Sequence, residues 1–354
     1  MDQSARPKSK SCFLTETWFH LLYLLAAAVF ILVYTAGSTY NGNPKAQFID
    51  LVNAQASKPY VYRMLVPWLI RATSQAIPDV FEYRINQLPE KYPALKPVLQ
   101  TLTWEKAFLN LYLIGTGVFY VFLVGVMLAL RRLFAALFSA PTNFERCVPM
   151  FALAFLFPWV NVTYIYDFSS LFFFIVGLVF CLRAKWVSYL LVFAVACLNK
   201  ETTILLTLQF VLYYGFQTNI KNSLFWKLLA TQLAIFVLIR IGLALYFGQM
   251  PGGLAEFHLI NHNLPLLYRW IIHPSPSAYL LGLLLLGLFF YGWKEQPLFL
   301  RDGIWILTAL VGLTFFLGWL NEWRDYLEAF PFVFLIFTHN LARLYNITIF
   351  RRVT

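Results

Sequence analysis

The chain has 354 residues, of which 60% are hydrophobic, 19% aromatic and only 12% charged, with a formal net charge of +11. Soluble domains carry about 25% charged residues, so aqueous enzyme folds, secreted disulfide scaffolds and disordered chains are excluded. So much apolar surface needs lipid as its solvent, and the basic excess is first a matter of orientation in a bilayer rather than of nucleic acid.

Apolar runs, broken at charges, prolines and asparagines, predict an all-α polytopic transmembrane bundle of about ten spans forming one integral-membrane domain over 1–354. The spans are 17–36, 107–130, 148–161, 165–182, 186–199, 202–217, 226–247, 278–293, 303–320 and 327–345. A helical span takes roughly 17–25 residues, so 148–161, 186–199 and 202–217 need a bent path or protection by their neighbours. The first run, Trp18 to Tyr34, exceeds the signal-peptide core of about 7–15 residues and reads as an uncleaved anchor. After it comes a long first extracytoplasmic loop, 37–106, in which Leu65, Val66, Leu69, Ile70 and Ile77 recur near helical spacing. That pattern predicts an interfacial helix within 62–77. Residues 78–103, with Pro78, Pro89, Pro93 and Pro97, read as a connector.

With the N-terminus inside, Arg6, Lys8, Lys10, Arg131, Arg132, Arg146, Arg183, Lys185, Lys221, Lys227, Lys294, Arg301, Arg343, Arg351 and Arg352 fall on the inner side. The outer ends of the later spans carry only Lys200, Arg269 and Arg324, and Arg240 lies inside a span. This asymmetry predicts two cytoplasmic termini and needs no nucleic-acid partner. A bacterial inner membrane is the first expectation and the endoplasmic reticulum the second. Cys12, Cys147 and Cys181 fall near the inner side and Cys197 toward the outer half, which argues against disulfides and against a cysteine metal site. Asn161–Val162–Thr163 and Asn346–Ile347–Thr348 match the glycosylation acceptor pattern by chance, one hugging the membrane and the other assigned inside.

Four polar clusters sit at span ends and fall on one face of this topology. They are Tyr164–Ile165–Tyr166–Asp167, Asn199–Lys200–Glu201–Thr202, the loop with His258, His262 and His273, and Asn321–Glu322–Trp323–Arg324–Asp325. Ionisable groups beside apolar spans are expensive and usually pair or line a water-filled cavity, so one external site is predicted. Local explanations compete. Asp167 has the position of a helix cap. Lys200 and Glu201 are placed to close a hairpin as a local pair, and Arg324 and Glu328 are spaced i, i+4. His258 and His262 share that spacing, but Leu259, Ile260 and Asn261 between them supply no carboxylate base, so neither a metal nor a cofactor is expected. Carboxylates mixed with Lys and Arg at a membrane surface suit a substrate with an anionic phosphate, a long lipid tail and a polar head. Cations hold the phosphate, and an acid serves as base toward an acceptor hydroxyl.

Phe48–Ile49–Asp50–Leu51–Val52, followed by Lys58–Pro59–Tyr60–Val61–Tyr62–Arg63–Met64–Leu65–Val66–Pro67, resembles the first external loop of the GT-C glycosyltransferases. In their polyprenyl-phosphate-mannose-dependent members an acid soon after the first span precedes a Pro-Tyr-x-Tyr-like stretch. The Asn199–Thr202 stretch is similar to their Lys-containing break before a later span, and Glu322–Glu328, ahead of Pro331, occupies the place of their last external polar motif. Many members carry adjacent acids in the first loop, whereas Asp50 has no acidic neighbour. The resemblance implies a membrane enzyme that moves a sugar, with inversion, from a lipid-linked donor to a glycan, lipid or protein acceptor. Asp50 would be the catalytic base. Arg63, Tyr62, Asp167, Lys200, Glu201, His258, His262, Glu322, Arg324 and Asp325 would bind substrate, with Arg63, Lys200 and Arg324 steadying the leaving phosphate. The competing readings are a polymerase or ligase of lipid-linked glycans, a transporter or flippase, an intramembrane hydrolase and a noncatalytic assembly subunit.

Overall fold

The computed structural model describes residues 10–37, 40–159, 164–216 and 221–352. Arg6, Lys8 and the Asn161–Thr163 acceptor pattern lie outside them. The chain opens with α1 (Lys10–Gly37), and the first loop holds α2 (Phe48–Val52), α3 (Leu65–Ala76), α4 (Asp79–Asn86), α5 (Leu88–Lys91) and α6 (Leu95–Thr101). There follow α7 (Leu109–Leu137), the short strand β1 (Phe138–Ser139), α8 (Thr142–Leu156), α9 (Asp167–Leu182), α10 (Trp186–Cys197), α11 (Leu205–Phe216) and α12 (Asn222–Tyr246). The last part contains α13 (Leu264–Ile272), α14 (Pro276–Phe290), α15 (Leu298–Asp302), α16 (Ile304–Leu317), α17 (Phe330–Leu344) and β2 (Phe350–Arg351).

Among the described residues six helical stretches are long and apolar enough to cross a membrane: Glu16–Thr35, Lys106–Leu137, Asn222–Tyr246, Pro276–Glu295, Leu298–Leu317 and Trp323–Leu344. This is the architecture of a multi-pass membrane protein. Four of the ten predicted spans fall short, because 148–161, 165–182, 186–199 and 202–217 correspond to α8, α9, α10 and α11, of 15, 16, 12 and 12 residues. At 1.5 Å per residue a helix of 12 covers about 18 Å, little more than half of a hydrocarbon core about 30 Å thick.

The predicted interfacial helix is α3, with Val66 and Ile70 buried and Trp68 exposed. It packs on α2 and α7. The connector is more helical than its prolines suggested. Pro78 caps α4, and Pro89 and Pro97 sit in the first turns of α5 and α6, where a missing N–H costs no hydrogen bond.

Helix α7 is the hub, packed against α1, α3, α8 and α9. At Gly125 of α7 a Cβ would lie 2.7 Å from the ring of Phe172, so glycine lets an aromatic side chain of α9 rest on the α7 backbone. Such close fits matter in lipid, where helix association rests on packing because the tails are as apolar as leucine. The Trp323–Leu344 span is 78% buried and the Pro276–Glu295 span only 11%, which puts α17 inside the bundle and α14 on its lipid-facing flank.

One end of the bundle is closed by ion pairs. Glu16 at the start of α1 accepts from Arg131 near the end of α7, both bonds 3.1 Å, and from Arg146 of α8 at 3.0 Å. There too β2 pairs antiparallel with β1, Phe138 opposite Arg351.

Candidate functional site

A cavity of about 740 Å³ opens at the end of the bundle opposite Glu16. Its wall comes from alternate helix boundaries, with residues 40 and 42–45 after α1, 59, 60 and 63 before α3, Tyr164 before α9, Lys200 and Glu201 between α10 and α11, 254–256 and 258 beyond α12, and 317–319, 322, 324 and 325 between α16 and α17, together with Arg240 from within α12. Antiparallel helices bring every second boundary to the same end. Sequence clusters far apart in the chain thus meet in one place.

Buried amides hold the breaks in shape. Asn199 donates to the Tyr166 carbonyl at 3.1 Å and to Ser170 Oγ at 2.7 Å, and accepts from Ser169 Oγ at 2.9 Å, which pins the α10–α11 break to the start of α9. Lys200 then leaves the helix in an extended conformation. Asn263 donates to the carbonyls of Thr314, Phe315 and Gly318 at 2.9–3.0 Å, which ties the end of α16, where Thr314 also accepts from the Gly318 amide, to the start of α13.

The charged residues pair across elements rather than locally. Lys200 bonds Glu328 at 3.1 Å, not the adjacent Glu201. Glu201 instead accepts both arms of the Arg63 fork, Nε at 3.2 Å and Nη2, while Arg63 Nη1 bonds the Tyr166 hydroxyl. Arg324 bonds Glu322 at 2.9 Å and approaches Asp167 at 3.9 Å, so the i, i+4 pairing with Glu328 is not made. Aromatic rings interleave with the cations: Arg324 lies 4.2 Å above the Tyr164 ring, Arg63 4.6 Å from Tyr166, and these two tyrosines stack on each other. Burial alone would raise the Glu201 pKa; the Arg63 charge outweighs it and holds the carboxylate at about 2.

On the facing wall Lys45 bonds Glu256 at 2.7 Å, His258 Nε2 lies 3.3 Å from the same carboxylate, and Asn43 donates to the hydroxyls of Tyr60 at 3.2 Å and Tyr164 at 2.7 Å. Burial opposes ionisation of Glu256, yet Lys45 keeps its pKa below the ordinary carboxylate range. Glu256 belongs to a strap, residues 247–258, that also meets the first loop through the Lys58 amide and the Pro251 carbonyl at 2.7 Å.

Of the residues predicted from sequence, Arg63, Lys200, Glu201, His258, Glu322, Arg324 and Asp325 line the cavity. Tyr62 is buried beneath it, 5.3 Å from the Arg240 guanidinium. Asp167 is fully buried behind the wall, accepting from the Tyr164 amide at 2.8 Å and supporting Arg324. The two histidines diverge on a widened turn, Leu259–Asn263: His258 faces the cavity, whereas His262 stacks on Trp319 and bonds Asn321 at 2.9 Å. Asp50, in the first turn of α2, is half-buried and is not among the lining residues. No group of three His, Cys, Asp or Glu among the described residues is placed to hold a metal.

Sequence reasoning missed Lys45, Tyr60, Arg240 and Glu256. Two of them carried a signal. Glu256 is the only acid between Glu201 and Glu295, and Arg240 is the only charge in α12 beyond Lys227.

Asp325 stands apart from the other acids of the wall. Glu201, Glu256 and Glu322 each hold a cation, whereas the Asp325 carboxylate has no ion pair or side-chain hydrogen bond among the described residues. Gly318 makes room for it, since a Cβ there would lie 2.6 Å from Asp325 Oδ2. No protein-family model, no curated protein and no solved structure matches the chain.

Proposed function

We propose that the protein is an integral-membrane glycosyltransferase of the GT-C type that uses a polyprenyl-phosphate sugar and works on the extracytoplasmic face, both termini being cytoplasmic. The observation that carries this reading is one cavity in which Asp325, the lining carboxylate with no direct ion pair among the described residues, shares the wall with five cations, Lys45, Arg63, Lys200, Arg240 and Arg324. An acid already bound to a cation is a poor base, because the cation stabilises its charged form. Asp325 makes no such direct pair, the Arg324 and Lys200 charges acting on it only from a distance, and in this reading it takes the role that the likeness of the first loop gives to Asp50.

In the proposed reaction the Asp325 carboxylate accepts the proton of an acceptor hydroxyl as that oxygen attacks the anomeric carbon. The bond from this carbon to the phosphate oxygen breaks on the opposite side, and the polyprenyl phosphate departs with the electron pair. Cations on the wall lower the cost of the charge that grows on the departing phosphate. The outcome is inversion at the anomeric carbon.

The test is transfer by the full chain in nanodiscs from a panel of labelled polyprenyl-phosphate sugars, read as release of polyprenyl phosphate. Asp325→Asn is expected to lower turnover by about a hundredfold or more while still binding donor, and Asp50→Asn to remain near wild type. Loss in Asp50→Asn with an active Asp325→Asn returns the base to the first loop. Absence of turnover with every donor in the panel refutes the transferase.

A further inference from the structure

Arg240 is the loosely held cation of the cavity. Lys45, Arg63, Lys200 and Arg324 each have a carboxylate within 3.1 Å. Arg240 lies over the Tyr62 ring at 5.3 Å, and among the carboxylates of the described residues it reaches only Glu201, at 4.0 Å, which is already engaged by both arms of Arg63. Its Nη1 is buried and has no hydrogen-bond partner among the described residues. A guanidinium this poorly matched beside a membrane span is costly, and an anion that meets its cavity-facing side, the side chain being 20% exposed, offsets the cost.

The depth of Arg240 identifies the anion's carrier. It lies six residues before the end of α12 at Tyr246, roughly 9 Å below the helix end at 1.5 Å per residue. Seven and three residues earlier on the same stripe of α12 stand Leu233 and Val237, 44% and 49% exposed. A phosphate held at this depth therefore has a bare apolar track running away from it into the bilayer. A free phosphate would gain the guanidinium but leave the track unused.

We propose that Arg240 binds the phosphate of a lipid phosphate whose hydrocarbon chain lies along the Leu233–Val237 face of α12. The assignment rests on the transferase reading only in naming this lipid as its donor and product. Arg240 is here a binding residue, and Arg63, with Glu201 filling its fork, serves to hold the site in shape.

Binding of labelled farnesyl phosphate to the full chain in phosphatidylcholine nanodiscs tests this, with farnesol and inorganic phosphate as competitors. Wild type should bind saturably, Arg240→Gln about ten- to a hundredfold more weakly, and Arg240→Lys in between. Val237→Trp, which fills the track and leaves the charge, should weaken farnesyl phosphate and spare inorganic phosphate, and it keeps the test open should Arg240→Gln fail to fold. Equal affinity of Arg240→Gln and wild type overturns the assignment. Inorganic phosphate competing as well as farnesyl phosphate overturns the lipid part of it. Sugar transfer is read separately: unchanged binding with normal transfer defeats Arg240 and leaves the transferase standing, whereas Arg240-dependent binding with no transfer from any sugar phosphate does the reverse.

Discussion

At the residue scale, the Arg63–Glu201 fork decides how the cavity responds to acid. The carboxylate is still 35% exposed toward the cavity, while Arg63 beneath it is 12% exposed, so the acid is reachable and its partner is not. Glu201 is held at about 2, below the ordinary 4.5 of a glutamate, so its contribution to stability is complete above pH 4.5 and is lost as pH falls toward 2. Thermal unfolding in nanodiscs across that window should show wild type losing stability, with a flatter profile in Glu201→Gln. At neutral pH Glu201→Ala leaves the Arg63 charge buried without its counter-ion and should cost about 2 kcal/mol, below the range for fully buried pairs because water reaches the carboxylate. Removal of both partners should cost less than the sum of the single changes; additive losses would mean that the pair is not the unit of stability. The ionisable types at this site were legible from sequence because charge beside an apolar span is rare. Their partners were not, since Lys200–Glu328 and Arg63–Glu201 are chosen by packing between distant segments, whereas sequence spacing offered Lys200–Glu201 and Arg324–Glu328.

At the scale of elements, the strap over the cavity depends on one backbone conformation. Gly252 has φ +100°, and a Cβ there would sit 2.5 Å from the Lys58 carbonyl oxygen, so strain and collision act together. Gly252→Ala should loosen the strap by about 1–3 kcal/mol. Gly253→Ala, where φ is not positive and the nearest atom lies at 3.3 Å, should cost less. The readout is hydrogen exchange of the Lys58 amide, which donates to Pro251. Faster exchange in Gly252→Ala alone is the expected result, and equal rates in both variants would show that the strap does not depend on this residue. A lone Gly-Gly pair in sequence signals a turn, but nothing in it reports that the turn lies against Lys58, about two hundred residues away. The helices of the connector were hidden for a related reason: a proline reads as a breaker until its place in a first turn is known.

At the scale of the whole molecule, hydropathy located the six long spans because each needs only its own composition. The shorter helices α8 to α11 defeat the same rule, since helices protected by neighbours need neither full length nor a clean apolar run. Convergence at one end was legible from alternation of direction alone, which is why Lys200, Glu201, His258, Glu322, Arg324 and Asp325 could be grouped before any contact was known, whereas Arg63 and Asp50 entered only through the likeness of the first loop, and of these two Arg63 lines the cavity and Asp50 does not. Charge gives the orientation to be tested. The end opposite the cavity carries Arg131, Arg132, Arg146, Arg183 and Lys185, and basic residues beside spans are retained on the cytoplasmic side. With the four native cysteines changed to serine, Asn53→Cys in the first loop should react with an impermeant maleimide in intact right-side-out vesicles, and Thr142→Cys at the start of α8 only after permeabilisation. The opposite labelling would place the cavity in the cytoplasm, where a soluble nucleotide sugar, rather than a lipid-linked one, would be the donor within reach.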